Sequence, residues 1–575
     1  MRSTRRISGL LVPIALLGAI AFGVAVAPEP PQEPRFAGAG HEEPQRGGSF
    51  VFFHESNVRS LDPHIAFDEL SSMGLRLLFD GLLEYDERTE LVPSLAGEMP
   101  MQSEDGLTFT FRLREGVLFH NGRELIAEDV RWSLEHMLSP DVPSPGAPYY
   151  SQLAGVDAYR SGDAEHVSGI RVVDDYKIEL TLTAPDQTFL HAMAMHFAYP
   201  VPRENYEAHP DDVASHPVGT GPYVLDRWER GDRLLFDRNP SYWRPGKPYV
   251  DRMVYLENTG RDVAVMRFRN GDLDSVHRFS PADYLFFRNA EAWQPYLFLE
   301  PKVNLWGIAM NTGMEPFDDV HLRRAVAFAM DREGWSRARQ GRYQPTGQPI
   351  PPQLLGYDPD LPTAHHFDID RAREEMRLAG HPDGLPDEVL LWYSSGETGQ
   401  YNAELAQADL ARIGIRLRLN PVSFAAYLEE TGKPRRAQML LTGWNMDYPD
   451  PANFFDSLWH SRAIAEANSS NRSFYRNPAL DALLDRARAE RDPERRREMY
   501  REASIIVTED APWAFMWNDL FLEAVQPYVH GYFQHRVFAQ EYRFVWLDLP
   551  RKPFAERHAL VPAAARAALF PRGAF

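Results

Sequence analysis

NAELAQADLARIGIRLRL, residues 402–419, changes its hydrophobic period across a single glycine. Before Gly414, the residues Leu405, Ala406, Leu410 and Ile413 recur at the spacing of one helix face. After it, Ile415, Leu417 and Leu419 alternate with Arg416 and Arg418, the period of two that puts one side of a strand in a core. Asn402 is placed to cap the helix start and Gly414 to end it. The stretch predicts helix followed by strand, and the order recurs where Ala372 to Gly380 leads into Val389-Leu390-Leu391. Helices alternating with strands in this way build an α/β layer, so the fold class is α/β.

The flanking chain is punctuated in the same manner. Leu107, Phe109, Phe111 and Leu113 alternate with Thr108, Thr110 and Arg112, predicting a half-buried strand, and Asn121-Gly122 marks a tight turn. Phe67 to Leu83 carries Leu70, Met73, Leu77 and Leu78 at helical spacing and predicts a helix ending near Gly81. Asp318 and Asp319 can cap a helix with Leu322, Ala325, Val326, Ala329 and Met330 inward and Arg323 and Arg324 outward. Ser49 to His54 reads as a short strand, closed by a turn at Asp62-Pro63. Residues 28–47 are rich in Pro, Gly, Glu and Gln without apolar periodicity and read as a tether.

Composition sets the limits. A chain of 575 residues divides into roughly two to four domains. Lys+Arg of 61 against Asp+Glu of 82 gives a net charge of −21, which argues against nucleic acid as a partner, since phosphates call for a basic face. Cysteine is absent, so disulfides, thiolate metal sites, cysteine nucleophiles and lipid attachment through cysteine are excluded. Arg2, Arg5 and Arg6 precede an apolar run from Leu10 to Val26, the arrangement of an export signal. Ala25-Val26-Ala27 offers a cleavage pattern, but Pro28 follows it, and an uncleaved N-terminal anchor is the competing reading. Both readings put the body of the protein outside the cytoplasm.

Catalytic signatures are missing. There is no Gly-x-Ser-x-Gly elbow, no phosphate-binding Gly-x4-Gly-Lys-Ser/Thr loop and no His-Glu-x-x-His helix. Gly219-Thr220-Gly221 runs into Pro222-Tyr223-Val224 and reads as a turn. The histidines, among them His191, His196, His365 and His366, show no ligand spacing, so neither a metal nor a cofactor is expected.

GWNMDYPDPANFF, residues 443–455, sets Asp447 and Asp450 among Trp444, Tyr448, Phe454 and Phe455. Two readings stand. Tyr448-Pro449-Asp450-Pro451 is turn chemistry; alternatively, a half-buried carboxylate awaits a cation.

Several stretches taken together resemble one family. LDPHIAFDELSSMGLRLLFDGLLEYDERTELVPSLAGEM (61–99), DGLTFTFRLREGVLFHNGRELIAEDVRWSLEHML (105–138), PFDDVHLRRAVAFAMDRE (316–333), LAQADLARIGIRLRLNPVSFAAYL (405–428) and residues 443–455 follow in order the pattern of family 5 extracellular solute-binding proteins. These are the peptide- and nickel-binding receptors of ABC importers. The resemblance runs over about residues 48–545. It implies a periplasmic-binding-protein type II fold, with two lobes joined by a hinge and an additional inserted domain. The layout it suggests is a signal peptide or anchor at 1–27, a linker at 28–47, lobe 1 at 48–65, 191–304 and 513–550, the inserted domain at 66–190, lobe 2 at 305–512, and a tail at 551–575.

The resemblance also implies function. A peptide, or another small solute, would be captured between the lobes by a monomeric receptor at the periplasm or cell surface and delivered to ABC permease subunits, with no enzymatic step. By its place in Gly-Trp-x-x-Asp, Asp447 matches the family's ammonium-pairing aspartate and Trp444 a cleft-lining aromatic, while Asn471 sits where relatives place a polar cleft residue. Asp450 reads as the residue holding the turn. The strand Ser49–His54 can offer backbone to the ligand. The partner of a ligand carboxylate is left unassigned. Competing readings are a non-peptide solute (nickel chelate, haem, opine or sugar) and an exported hydrolase.

Overall fold

A computed structural model describes residues 36–37 and 43–552; the expected export signal and nearly all of the expected C-terminal tail lie outside them. The first lobe is built on a sheet in the order Ser49–Phe53, Arg252–Leu256, Arg233–Arg238, Tyr223–Glu229. The first pair is parallel and the others antiparallel. Phe50, Phe52, Leu234, Phe236 and Tyr255 pack from this sheet against the helix Glu69–Leu78. Asp68 caps that helix by accepting the Ser71 N–H. The helix stops at Leu78, short of Gly81, because the Gly219–Gly221 turn packs onto its end: the Gly221 N–H donates to Leu78 O at 2.9 Å. A Cβ on Gly219 would fall 2.2 Å from Leu78 O, so close backbone approach explains these glycines.

The inserted domain has its own sheet, Met101–Gln102, Thr108–Arg112, Lys177–Thr181, Ile170–Asp174, antiparallel throughout. The alternation read in the sequence holds, since Phe109 and Phe111 are buried against Val130 and Leu134 of the helix Ala127–Leu138. This core runs from Leu82 to Ala198, while the helix Glu69–Leu78, expected within an inserted domain at 66–190, packs on the first lobe's sheet.

The largest sheet has the order Ser275–His277, Trp513–Val525, Asn304–Met310, Met439–Asn445, Val389–Ser394, Leu417–Val422. Val389–Ser394 runs parallel to both of its neighbours, and the helix Glu397–Ala411 connects it to Leu417–Val422. This is the helix and strand of the opening stretch, with Ile415 and Leu417 buried and Arg416 and Arg418 exposed. The start of the helix differs from expectation. Gly396, at φ +140°, turns the chain into it, and Asn402 lies inside, buried, donating to the Tyr343 hydroxyl at 2.9 Å. A second difference concerns Arg323, expected outward on the helix Val320–Ala329. It is 6% exposed and donates to Asp510 O at 2.8 Å and Phe317 O at 2.9 Å. Arg324 likewise donates to Glu509 O at 2.7 Å. The end of helix Pro493–Asp510 abuts here, and its last carbonyls lack partners within their own helix.

Trp513–Val525 passes from one lobe to the other. Its first residues pair with Asn304–Met310 and bury Ala514, Phe515 and Trp517 in the second lobe. Its last residues pair with Ser275–His277 and Leu297–Pro301 and bury Leu522, Ala524 and Val525 in the first. A boundary at 512/513 therefore precedes residues that still serve the second lobe's core. Midway, Asp519 accepts Asn304 Nδ2 at 2.9 Å, Trp306 Nε1 at 2.8 Å and Trp517 Nε1 at 2.9 Å. Its carbonyl accepts the Lys302 N–H at 2.8 Å. These bonds tie the two crossing segments at the hinge.

Candidate ligand-binding site

A cavity of about 470 Å³ opens where the lobes and the inserted domain meet. The first lobe supplies Glu69, Arg76 and the hairpin tip His535–Phe538; the inserted domain supplies Tyr85, Tyr149 and Phe197. The crossing segment adds Glu300–Val303, and the second lobe adds Asn445, Met446 and Asp447.

Asp447 arrives there because the strand Met439–Asn445 ends at the cavity wall. Its Oδ2 accepts Asn453 Nδ2 at 3.0 Å, and its own N–H donates to Asn453 Oδ1 at 3.0 Å. Tyr149, from the inserted domain, lines the same cavity wall as Asp447. Burial pushes the Asp447 carboxyl above its ordinary value, and only neutral groups, Asn453 and Tyr149, oppose it. No cation of the described residues pairs with it.

Asp450 has the opposite setting. Arg496 grips it from two sides, Nη1 to Oδ2 at 2.6 Å and Nη2 to Oδ1 at 2.8 Å. Asp450 Oδ1 also accepts the Ala452 N–H at 2.9 Å, holding the turn. Burial alone would raise this carboxyl, but the Arg496 charge more than reverses it and leaves the group below its ordinary value. Of the two acids in one short stretch, one is neutralised internally and the other is open to the cavity.

The other expected residues fall elsewhere. Trp444 packs against the second lobe's core and does not line the cavity. Its Nε1 donates to Asn453 Oδ1 at 2.9 Å, so it reaches Asp447 through Asn453. Asn471 is fully buried and is spent within its own loop, donating to Tyr475 O at 2.9 Å and accepting the Ser473 hydroxyl at 2.9 Å. It does not line the cavity either. The strand Ser49–Phe53 is likewise absent from the wall, and Val51 exchanges bonds with Asp274 at 2.6 and 2.9 Å.

Sequence reasoning missed Tyr149, Arg76, Lys302 and Arg536 as cavity groups. They come from four remote segments with no shared motif, so single-chain spacing carries no signal for them. Among the described residues, no group of three or more His, Asp or Glu is placed to hold a metal ion, and no helix is long and apolar enough to cross a membrane.

Comparison with known proteins agrees with this architecture. Residues 90–466 match the model for "Bacterial extracellular solute-binding proteins, family 5 Middle". Di/tripeptide-binding protein 2 of Pseudomonas aeruginosa is 31% identical over 478 residues, 80% of this chain and 87% of that protein. Heme-binding protein A of Haemophilus influenzae is 29% identical over 479 residues, 80% and 84% of the two chains. Among solved structures, the clavulanic acid biosynthesis oligopeptide binding protein 2 superposes with a TM-score of 0.80 at 27% identity, covering 88% of this chain and 96% of the other. An ABC transporter-associated periplasmic binding protein from Helicobacter pylori, in complex with the peptide STSA, gives 0.72 at 26% identity, covering 88% and 99%. With its lobes, its hinge and the cavity between them, the chain belongs to the bacterial extracellular solute-binding proteins of family 5.

Proposed function

We propose that this protein captures a short peptide by its free ammonium group, closes over it, and delivers it to an ABC permease. The observation that carries the reading is the contrast between Asp450, buried and paired with Arg496, and Asp447, half-buried at the cavity wall without a cation. A half-buried carboxylate gains from an incoming ammonium because each charge offsets the other's desolvation. The names of relatives, a di/tripeptide-binding protein and a receptor solved with a peptide, support the same solute class. The apolar lining, Tyr149, Phe197 and Val537 among it, suits side chains of varied identity. The receptor acts as a monomer, exported by its N-terminal segment, and binds stoichiometrically without turnover.

The test is thermal unfolding of protein stripped of ligand by unfolding and refolding, against pools of free-amine peptides and the same pools N-acetylated. A ligand at a hundred times its Kd adds roughly 2.7 kcal/mol. Stabilisation by the free-amine pool alone, lost in Asp447→Asn, is the expected result. A response to neither pool would transfer the cavity to a non-peptide solute, and an equal response to both would remove Asp447 as the ammonium partner.

A further inference from the structure

The cavity has a cationic side, and its members differ in how far they are already committed. Arg76 is spent: Nη2 donates to Gln540 O at 2.8 Å and Nη1 to Ser72 Oγ at 3.0 Å, with the guanidinium 4.4 Å from the Phe538 ring centre. Lys302 is shared, its Nζ lying 4.0 Å from Glu69 Oε1 and 4.7 Å from the centre of the Phe521 ring. Arg536 also lines the cavity and is half-buried. Yet it forms no hydrogen bond or ion pair with any described residue. A partly desolvated guanidinium without an anion is costly, and a planar carboxylate is the partner its forked donors fit best.

Arg536 is presented on a fixed support. The strands Phe533–His535 and Ala539–Glu541 form an antiparallel hairpin with His535 opposite Ala539. Arg536, Val537 and Phe538 make its tip. His535 Nδ1 accepts the N–H groups of Val537 at 3.0 Å and Phe538 at 3.3 Å. Its Nε2–H donates to Asp86 O at 3.1 Å. Both ring nitrogens are therefore used to shape the tip and dock it, which limits the positions open to the Arg536 side chain.

We propose that Arg536 binds the C-terminal carboxylate of the ligand, so that the cavity selects short peptides with both termini free. The inference rests on Asp447 as the ammonium partner. With one terminus held at each residue, the span between them sets the length of the peptide. Extension at either end is rejected, whereas side-chain identity between the ends matters less.

The experiment is calorimetric titration of ligand-stripped protein with a set of di- and tripeptides in three forms: free at both ends, C-amidated, and N-acetylated. Wild type, Arg536→Gln, Arg536→Lys and Asp447→Asn are compared. Because Arg536 makes no internal bond, Arg536→Gln should melt like wild type when empty. In wild type, C-amidation weakens binding at least tenfold. Arg536→Gln weakens the free peptide by a similar factor and binds acid and amide alike, and Arg536→Lys recovers part of the loss. Asp447→Asn keeps the preference for a free carboxylate while losing that for a free amine. If acid and amide bind wild type equally while N-acetylation still blocks binding, the Arg536 assignment falls and the Asp447 reading stands. Binding of no peptide in any form overturns both.

Discussion

Asn453 holds Asp447 by both ends of its amide: Nδ2 donates to the carboxylate Oδ2 at 3.0 Å while Oδ1 accepts the Asp447 N–H at 3.0 Å. The same Oδ1 takes the Trp444 indole N–H at 2.9 Å, which fixes the amide's orientation. The acid that faces the cavity is thus aimed by a residue of the helix Ala452–Leu458 and by a tryptophan behind it.

Asn453→Ala removes the acceptor for two N–H groups and a donor to Asp447. A hydrogen bond to a charged group is worth ~1.5–3 kcal/mol, so affinity for free-amine peptides should fall about tenfold or more. Calorimetry checks this, with Trp444→Phe as the milder companion. Equal affinities for Asn453→Ala and wild type would contradict the positioning role.

The two aspartates should respond oppositely to neutralisation. Arg496→Met leaves Asp450 buried and unpaired, a change that typically costs ~3–5 kcal/mol. Asp447→Asn removes a half-buried charge that has no cation, so the empty protein should be as stable as wild type or more stable, even as peptide binding is lost. Chemical denaturation of both variants without ligand measures the contrast.

Arg488 joins the second lobe to the inserted domain. Its Nη1 lies 3.3 Å from Asp186 Oδ2, its carbonyl accepts the Gln187 N–H at 2.9 Å, and its Nη2 pairs with Asp456. Arg488→Met should loosen this contact between the second lobe and the inserted domain and show itself as faster ligand release with little change in association rate. Stopped-flow displacement reads both rates.

Acid should destabilise the fold well before most carboxylates are protonated. Burial lowers His64, His196 and His535 to about 4 and His365 to about 3. Their folded values lie below the unfolded value of 6.5. Their contribution is complete above about pH 6.5 and is lost as pH falls towards 4, at ~1.4 kcal/mol per pK unit for each fully shifted group. Glu523 opposes them. Buried, and accepting the Tyr532 hydroxyl at 2.5 Å, it is raised to about 7. It stabilises below its unfolded value of 4.5 and loses that contribution as pH rises through 7. Urea unfolding across pH 4–8 should show falling stability on the acid side, and Glu523→Gln should flatten the alkaline side.

Local order was legible because it follows from period and punctuation. The end of the helix, the glycine and the strand around Gly414 read correctly from sequence, while the helix begins at Glu397, ahead of the expected cap at Asn402. Arg323 did not, because what turns it inward is the end of another helix, 187 residues away at Asp510. The site followed the same rule. Family resemblance pointed to Asp447, but the letters around Asp447 and Asp450 could not separate their roles. The difference lies in Arg496, 46 residues beyond Asp450, and in Tyr149 from the inserted domain. Arg536 reaches the wall only through a hairpin docked on Asp86, 449 residues from His535.

The most direct test of the central claim is a crystal structure of the protein grown with a free tripeptide. The account predicts the ligand ammonium on the Asp447 carboxylate, with Asn453 still bonded behind it. An ammonium seated instead on Glu69 or Glu300, or a peptide bound with Asp447 untouched, would contradict it.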